Sequence, residues 1–153
     1  MNIMHNYQKQ NFECLNCGKN VSSDKLIGTL NRNHCPFCLY SLHVDQDVPG
    51  DRKAECQSLM EPIGLTFKKE GLDKWGKEKQ GEIMVIHKCP KDQKISINRI
   101  AGDDDPEIIL KIFQNSQNLD PEIKKNLKRS GIGLLEKKDK TEVQKQLFGK
   151  SSL

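Results

Sequence analysis

Two closely spaced pairs of cysteines constrain the fold of this chain more than any other feature. Cys14 and Cys17 form the first C-x-x-C pair, and Cys35 and Cys38 form the second, with seventeen residues between the pairs. Two thiolates at this spacing reach one ion, and seventeen residues suffice for a hairpin that brings the pairs together. The pattern predicts one structural zinc ion held by all four cysteines, with no open coordination position.

The rest of the composition agrees with a reduced, zinc-binding protein. Hydrophobic residues make up 35% of the 153 residues and charged residues make up 30%, which argues against a large self-sufficient core. No stretch approaches the ~20 apolar residues of a membrane span, and residues 1–10 lack the apolar centre of a signal peptide. We therefore expect a cytoplasmic protein without a membrane partner, whose paired cysteines bind zinc rather than form disulfides or a redox pair.

Strand patterns precede helical patterns along the chain. Apolar, β-branched segments at 59–67, 82–87 and 94–100 predict antiparallel strands, and Pro62 indicates an edge or a bulge. Asp105-Pro106 and Asp120-Pro121 each place an N-cap before a proline in the first helical turn, so we expect two short helices. The fold class predicted is α+β, with a small zinc-ribbon-like antiparallel β domain followed by short C-terminal helices.

Charge and composition divide the chain into four segments. We expect a flexible leader over 1–10, the zinc-binding domain over 11–104, a helical appendage over 105–135 and a basic, mobile tail over 136–153 with a helical turn at 143–148. Residues 121–153 carry nine Lys and Arg against four Asp and Glu, a balance of +5, whereas residues 1–120 carry sixteen against seventeen. A basic segment of this kind either contacts a phosphate backbone or is simply well solvated.

The two remaining cysteines suggest a second metal site. Together with His87 or His43, and with Asp92, Cys56 and Cys89 can form a mixed zinc shell, because zinc accepts imidazole and carboxylate beside thiolate. The alternative is that both cysteines pack as small hydrophobic residues.

The motif Arg32-Asn33-His34-Cys35-Pro36 carries a resemblance to a known family. The chain resembles the RNHCP domain family, named for those five residues, over roughly residues 11–110. The likeness continues in later motifs: Cys38-Leu39, Ser41-Leu42-His43-Val44-Asp45, Pro49-Gly50-Asp51-Arg52, Cys56, Met60-Glu61-Pro62-Ile63, His87-Lys88-Cys89 and Asn98-Arg99-Ile100-Ala101-Gly102-Asp103-Asp104. The resemblance implies a bacterial zinc-ribbon-like domain. The family pattern H-x-C-x-x-C ends here in Asp92, which implies a weaker second zinc shell.

The polar residues near the cysteines support several interpretations. One is local architecture, in which Arg52 or Arg99 pairs with Asp103 or Asp104. A second is a phosphate-facing surface beside the zinc, formed by Arg32, His34, Arg52, Lys53 and Arg99. A third is a hydrolytic metal site at His43, Asp45, Asp103 and Asp104.

The favoured hypothesis is a zinc-binding module that binds nucleic acid, most plausibly RNA or a ribonucleoprotein. A protein-interaction adaptor is the alternative, because a zinc ribbon can offer a sheet edge or a knuckle to another protein and the helix that starts after Asp105 has an apolar face. We expect no enzyme, since the sequence contains no recognisable nucleophile-and-base arrangement and no glycine-rich phosphate loop. The single tryptophan, Trp75, lies in an exposed hairpin tip at 68–81, where it can stack on a base or cover the sheet, and we expect packing.

Overall fold

The computed structural model describes residues 12–21, 34–42, 59–91, 93–101 and 103–149. Its strands are β1 (Phe12–Glu13), β2 (Asn20–Val21), β3 (Ser41–Leu42), β4 (Leu59–Phe67), β5 (Ile83–Lys88) and β6 (Ile95–Arg99). Its α-helices are α1 (Pro106–Asn115), α2 (Pro121–Arg129) and α3 (Lys140–Phe148), with 3-10 turns at Ser116–Asn118 and Lys137–Asp139. The described part of the chain contains no helix long and apolar enough to cross a bilayer.

Six strands form two separate antiparallel sheets. β1 pairs with β2, and the larger sheet has the order β3-β4-β5-β6. β5 is the apolar centre of the larger sheet, with Ile83, Met84, Val85 and Ile86 all buried. The predicted strands and the α+β class are therefore confirmed, with the helices following the sheet in the chain.

A bulge interrupts β4 where the sequence placed an edge or a bulge. Pro62 pairs with His87 and Gly64 pairs with Ile86, so the register shifts between Pro62 and Gly64. Proline has no N–H for the ladder, and a bulge accommodates it inside a sheet. A Cβ at Gly64 would lie 2.5 Å from Leu134 Cδ1, so this glycine lets the segment 131–135 approach β4 closely.

Both predicted helix starts are confirmed. Asp105 Oδ1 accepts a hydrogen bond from the Glu107 N–H at 2.9 Å, and Asp120 Oδ1 accepts one from the Glu122 N–H at 2.8 Å. Each satisfies a backbone donor that has no partner within its helix. Gly131 follows α2 with a φ of 75°, the left-handed conformation that commonly ends a helix.

Helices cover both faces of the larger sheet. On one face, Leu65 and Val85 pack with Ile109 of α1 and Val143 of α3. On the other face, Ile63 and Ile86 pack with Leu127 of α2. Because apolar residues of the sheet and of the helices share these clusters, the residues described after 104 complete the core of the β domain.

Within the tail predicted over 136–153, residues 136–149 pack against the sheet, and the helical turn predicted at 143–148 lies in α3. These residues form a 3-10 turn and α3, and Val143 is fully buried in the main cluster. The Gln146 side chain accepts a hydrogen bond from Ile83 N at 2.8 Å and donates one to Gly81 O at 3.0 Å. Sparse apolar residues suffice here because Val143 and Leu147 lie four residues apart on one helix face. The predicted leader, 1–10, and residues 150–153 lie outside the described residues.

Candidate metal centre

The first cysteine pair lies in a tight turn between β1 and β2. Cys14 N donates to Lys19 O at 2.9 Å, and Gly18 N donates to Cys14 O at 2.8 Å. Gly18 has a φ of 78°, which a glycine adopts without steric penalty. Asn16 N lies 3.4 Å from Cys14 Sγ and donates toward it. The turn thus places both sulfur atoms on one side and directs an N–H group at one of them.

The second pair repeats this turn closely. Cys35 N donates to Tyr40 O at 2.9 Å, and Leu39 N donates to Cys35 O at 2.8 Å. Phe37 N donates toward Cys35 Sγ at 3.4 Å. Leu39 occupies the place of the glycine, with a φ of 65° that is rare for a residue with a side chain. We call each such turn a cysteine knuckle.

The four sulfur atoms converge on one point. Cys14 Sγ lies 3.6 Å from Cys38 Sγ, Cys17 Sγ lies 3.6 Å from Cys35 Sγ, and all four lie within 4.8 Å of one another. Tetrahedral zinc–sulfur bonds of about 2.3 Å place the sulfur atoms about 3.8 Å apart. The donor set and its spacing therefore fit a metal ion that prefers four thiolates. Within the described ranges, this is the one group of three or more His, Cys, Asp or Glu side chains so arranged.

The surroundings of the cysteines shift the pKa values of their thiols in different directions. Burial raises the pKa of Cys35 and of Cys38, because the charged thiolate is poorly solvated there. The pKa of the exposed Cys17 is lowered, mainly because a hydrogen bond from the Lys19 backbone stabilises its thiolate. A bound cation offsets the cost of burying thiolates, so the site as built favours metal binding over four separate thiols.

Several contacts attach the second knuckle to the α+β body. His34 Nε2 lies 2.8 Å from Asp104 Oδ2, and both side chains are buried. Asp105 N donates to Pro36 O at 2.9 Å, immediately before α1. The Leu39 side chain is fully buried in the main apolar cluster. The metal centre is therefore rigidly joined to the sheet and to α1.

This arrangement corrects the role predicted for His34. His34 was predicted to lie on a phosphate-facing surface, but the residue is 5% exposed and its ring contacts a buried carboxylate. Asp104 also accepts a hydrogen bond from Ala101 N at 2.7 Å. One interpretation of the sequence paired Arg99 with Asp103 or Asp104. Arg99 instead donates from Nε to Glu82 at 3.1 Å on the exposed surface. Arg32, Arg52 and Lys53 lie outside the described residues.

His87 is also placed differently from the prediction of a second zinc site. It is fully buried, its Nε2 lies 2.6 Å from Leu39 O, and its Nδ1 lies 2.8 Å from the Asn98 side-chain nitrogen. Nε2 therefore donates to the carbonyl and Nδ1 accepts from the amide, which leaves neither nitrogen for a metal. Burial lowers the pKa of His87 to about 4, so the ring is neutral.

Cys89 lies in a third turn of the same type as the two knuckles. Cys89 N donates to Lys94 O at 2.8 Å, Gln93 N donates to Cys89 O at 2.9 Å, and Gln93 has a φ of 63°. The turn joins β5 to β6, and Cys89 is fully buried. Its partners in the predicted second site, Cys56, His43 and Asp92, lie outside the described residues, as does Asp45 of the predicted hydrolytic site.

Two cysteine knuckles that meet in one four-thiol cluster, attached to an α+β body, define a protein with a four-cysteine metal-binding centre. The model of the RNHCP domain family matches residues 9–110, so the chain belongs to this family. The resemblance drawn from the sequence motifs is thus confirmed. No curated protein and no solved structure gave a significant match to the chain.

Two features of the protein surface were missed in the sequence. Trp75 was expected to pack on the sheet, but its side chain is 73% exposed at the hairpin tip. One groove is lined by two lysines of α2, Lys124 and Lys128, and by two lysines that precede α3, Lys137 and Lys138. The basic composition of 121–153 indicated positive charge here but not the groove in which these lysines meet. The left-handed conformation of Leu39 was predictable in principle, because it follows its C-x-x-C pair as Gly18 follows the first.

Proposed function

We propose that this protein is a cytoplasmic, zinc-stabilised module that binds RNA through a basic surface on its helices. In this proposal the four cysteines hold zinc, and the metal has a structural role because four thiolates leave no position for a substrate. The cytoplasm is proposed because four thiols persist as metal ligands in a reducing compartment.

The zinc proposal is supported by the convergence of the two knuckles. β1 and β2 contain two residues each, and the contacts between the two knuckles within the described residues are a small apolar cluster around Val21 and the approach of Lys19 to Phe37. A bound metal ion would therefore supply much of the stability of this region. Protein purified without chelator should contain at least one zinc ion per chain by elemental analysis. Cys14→Ser should lose that ion and unfold the knuckles, whereas Ser96→Cys, on β6, should leave the zinc content unchanged. Protein without zinc in that preparation would contradict the proposal.

A second, weaker zinc ion is proposed near the turn that contains Cys89, with Cys56, His43, Cys89 and Asp92 as its ligands. This proposal is supported by the backbone hydrogen bonds of the turn at Cys89, which match those of the two cysteine knuckles. Carboxylate is a harder ligand than thiolate, so this ion should leave first on mild chelation. Asp92→Cys should retain two zinc ions per chain under chelation that reduces the wild type to one, and Asp92→Ala should bind only one. One zinc ion per chain in all three proteins would refute the second site.

The observation that carries the RNA proposal is the charge of the described C-terminal helices. Residues 121–149 contain eight Lys and Arg, all exposed, against four Asp and Glu. Four of the lysines line a groove of about 580 Å³ beside the 3-10 turns: Lys124, Lys128, Lys137 and Lys138. Glu136 is the one acidic residue among the described residues that line it. A groove with this charge attracts a phosphate backbone. We call it the helical groove.

The lysines of the helical groove are available for such contacts. Among the described residues, none of the four forms an ion pair with a carboxylate within 4.0 Å. By contrast, Arg99, the one described arginine of the predicted phosphate surface, is already paired with Glu82. The basic surface is therefore proposed at the helices rather than beside the cysteines.

A salt series with matched charge reversals tests the RNA proposal. Filter binding of ribosomal RNA should weaken steeply with salt. Lys124→Glu/Lys128→Glu should lower affinity roughly tenfold and reduce the slope of log K against log salt by about 1.4, since each single-strand phosphate contact contributes about 0.7. The control, Lys111→Glu/Lys145→Glu, makes the same charge change at exposed lysines outside the groove. Binding that is absent, or equally weakened by both pairs, would contradict the proposal.

One argument for a protein adaptor was an exposed apolar face on α1. The apolar residues of α1, Ile109, Ile112 and Phe113, are buried against the sheet. A partner would therefore have to bind elsewhere. Pull-down partners that survive nuclease treatment would favour the adaptor over the RNA-binding module.

A further inference from the structure

The hairpin between β4 and β5 presents two large apolar side chains to solvent. Leu72 is 61% exposed and Trp75 is 73% exposed, and Trp75 is the one tryptophan of the sequence. Single exposed leucines are common on protein surfaces, whereas an exposed tryptophan leaves a large apolar side chain in water and forgoes the stabilisation that its burial would give. We call residues 68–82 the tip hairpin.

The tip hairpin is well ordered around the tryptophan. Asp73 Oδ1 accepts hydrogen bonds from Trp75 N at 2.8 Å and from Lys77 N at 3.0 Å, while Asp73 N donates to Lys77 O at 2.7 Å. Gly71 and Gly76 supply the positive φ angles that the turns need. The exposed ring therefore stands on a defined backbone, so little entropy is lost when it engages a ligand.

The charge around Trp75 favours an anionic partner. Residues 68–79 contain five lysines, all exposed, and three acidic residues. Asp73 is engaged in the turn, and Glu70 lies 3.8 Å from Lys68. Lys74 Nζ lies 4.5 Å from the centre of the Trp75 ring, a cation–π contact that holds positive charge beside the indole.

A second groove lies between the tip hairpin and the segment 131–135. This hairpin groove, of about 550 Å³, is lined by three lysines, Lys68, Lys69 and Lys79, and by two acidic residues, Glu70 and Glu78. Gly133 lines both the hairpin groove and the helical groove, so the segment 131–135 forms a wall that they share. Thr66 Oγ1 donates to Gly133 O at 2.8 Å, and Leu135 N donates to Leu65 O at 2.9 Å, which fixes this segment along β4. We call the lysines that line the two grooves the track.

We propose that the track binds single-stranded RNA, with the phosphate backbone following the two grooves and an unpaired base stacking on Trp75. This inference rests on the proposed RNA-binding function and narrows it to single strands. A groove that follows the backbone and an aromatic ring that accepts any base are the two elements of sequence-tolerant single-strand binding. Bases in a duplex are stacked on one another and do not offer a free face to the indole.

The test uses Trp75 as its own fluorescent reporter in the full-length protein. A single-stranded octauridylate should quench the tryptophan emission, and an RNA duplex of equal charge should not. Inorganic polyphosphate and oligoglutamate serve as anions without bases. In filter binding, Trp75→Ala should weaken octauridylate binding roughly tenfold, as expected for the loss of one stacked base. Ile97→Ala, a control that shortens an exposed apolar side chain outside both grooves, should change binding less than about twofold.

The outcomes separate this inference from the function on which it rests. Selective quenching by octauridylate, with weaker binding of Trp75→Ala, would support it. RNA binding that is unchanged in Trp75→Ala would overturn the stacking role and leave the proposed RNA-binding function standing. Equal quenching by oligoglutamate would overturn it in favour of an acidic protein partner. Failure of every RNA to bind in the filter assay would overturn both. Both variants change exposed side chains, and circular dichroism verifies their fold.

Discussion

A methyl group added at Gly81 should open the base of the tip hairpin. A Cβ built on Gly81 would collide with Lys68 O and lie 2.7 Å from Lys68 C. Both atoms belong to the backbone, so no side-chain rotation relieves the overlap. Carbon atoms in contact are ordinarily separated by about 3.5–4.0 Å, so β4 and β5 must separate by about 1 Å at this point.

The hydrogen bonds near Gly81 set the size of the effect. Lys68 N donates to Glu82 O at 2.8 Å, and Gln146 joins α3 to Gly81 O and Ile83 N at 3.0 and 2.8 Å. A shift of about 1 Å carries all three beyond hydrogen-bonding distance. At about 1 kcal/mol net for each bond, Gly81→Ala should lower the free energy of unfolding by about 3 kcal/mol.

Urea unfolding of the zinc-loaded protein, followed by circular dichroism, measures this loss. Gly133→Ala is the matched control, because a Cβ there meets no atom within 4 Å. Its stability should be unchanged or about 0.5 kcal/mol higher, since alanine restricts the unfolded chain. A Gly81→Ala protein within about 1 kcal/mol of the wild type, a shift too small for the loss of these three bonds, would refute the reasoning.

Three further predictions concern the core, the helix caps and the buried histidine. Val143→Ala should lower the free energy of unfolding by about 2 kcal/mol, while Lys145→Ala, exposed on the same helix, should have little effect. A mobile tail would instead tolerate both substitutions in urea unfolding. Asp105→Ala should cost about 1 kcal/mol through loss of the N-cap, and Asp105→Asn should recover most of it in the same assay. Because the pKa of His87 is lowered from 6.5 to about 4, the unfolded chain binds a proton at this ring before the folded protein does as the pH falls. The stability that the neutral, buried ring contributes is therefore complete above pH 6.5 and is lost as the pH falls toward 4. NMR should find the His87 ring neutral at pH 5.5, and a midpoint near 6.5 would contradict its burial.

The features that could be predicted from sequence depend on short stretches of chain. The C-x-x-C spacing determines a turn that presents two sulfur atoms, whatever surrounds it. The Asp-Pro pairs cap α1 and α2 through contacts two residues away, and the apolar run of β5 can be stable only inside a sheet. The zinc-ribbon-like details, the division into segments and the identity of the metal stay predictions.

Contacts between distant residues decided the rest. His34 meets Asp104 seventy residues further on, and Gln146 meets Ile83 sixty-three residues back. A lysine-rich segment with few apolar residues is typical of a mobile tail. Its sequence does not show that Val143 packs into the apolar cluster on the sheet, because the residues of that cluster lie far away in the chain. The helical groove and the hairpin groove likewise share a wall only because the segment 131–135 lies along β4. The sequence by itself therefore determined the cysteine knuckles, the helix caps and the strands, since their causes are local. Tertiary structure alone decided which polar residues are buried and which lysines face one surface, since packing selects among partners that are far apart in the chain.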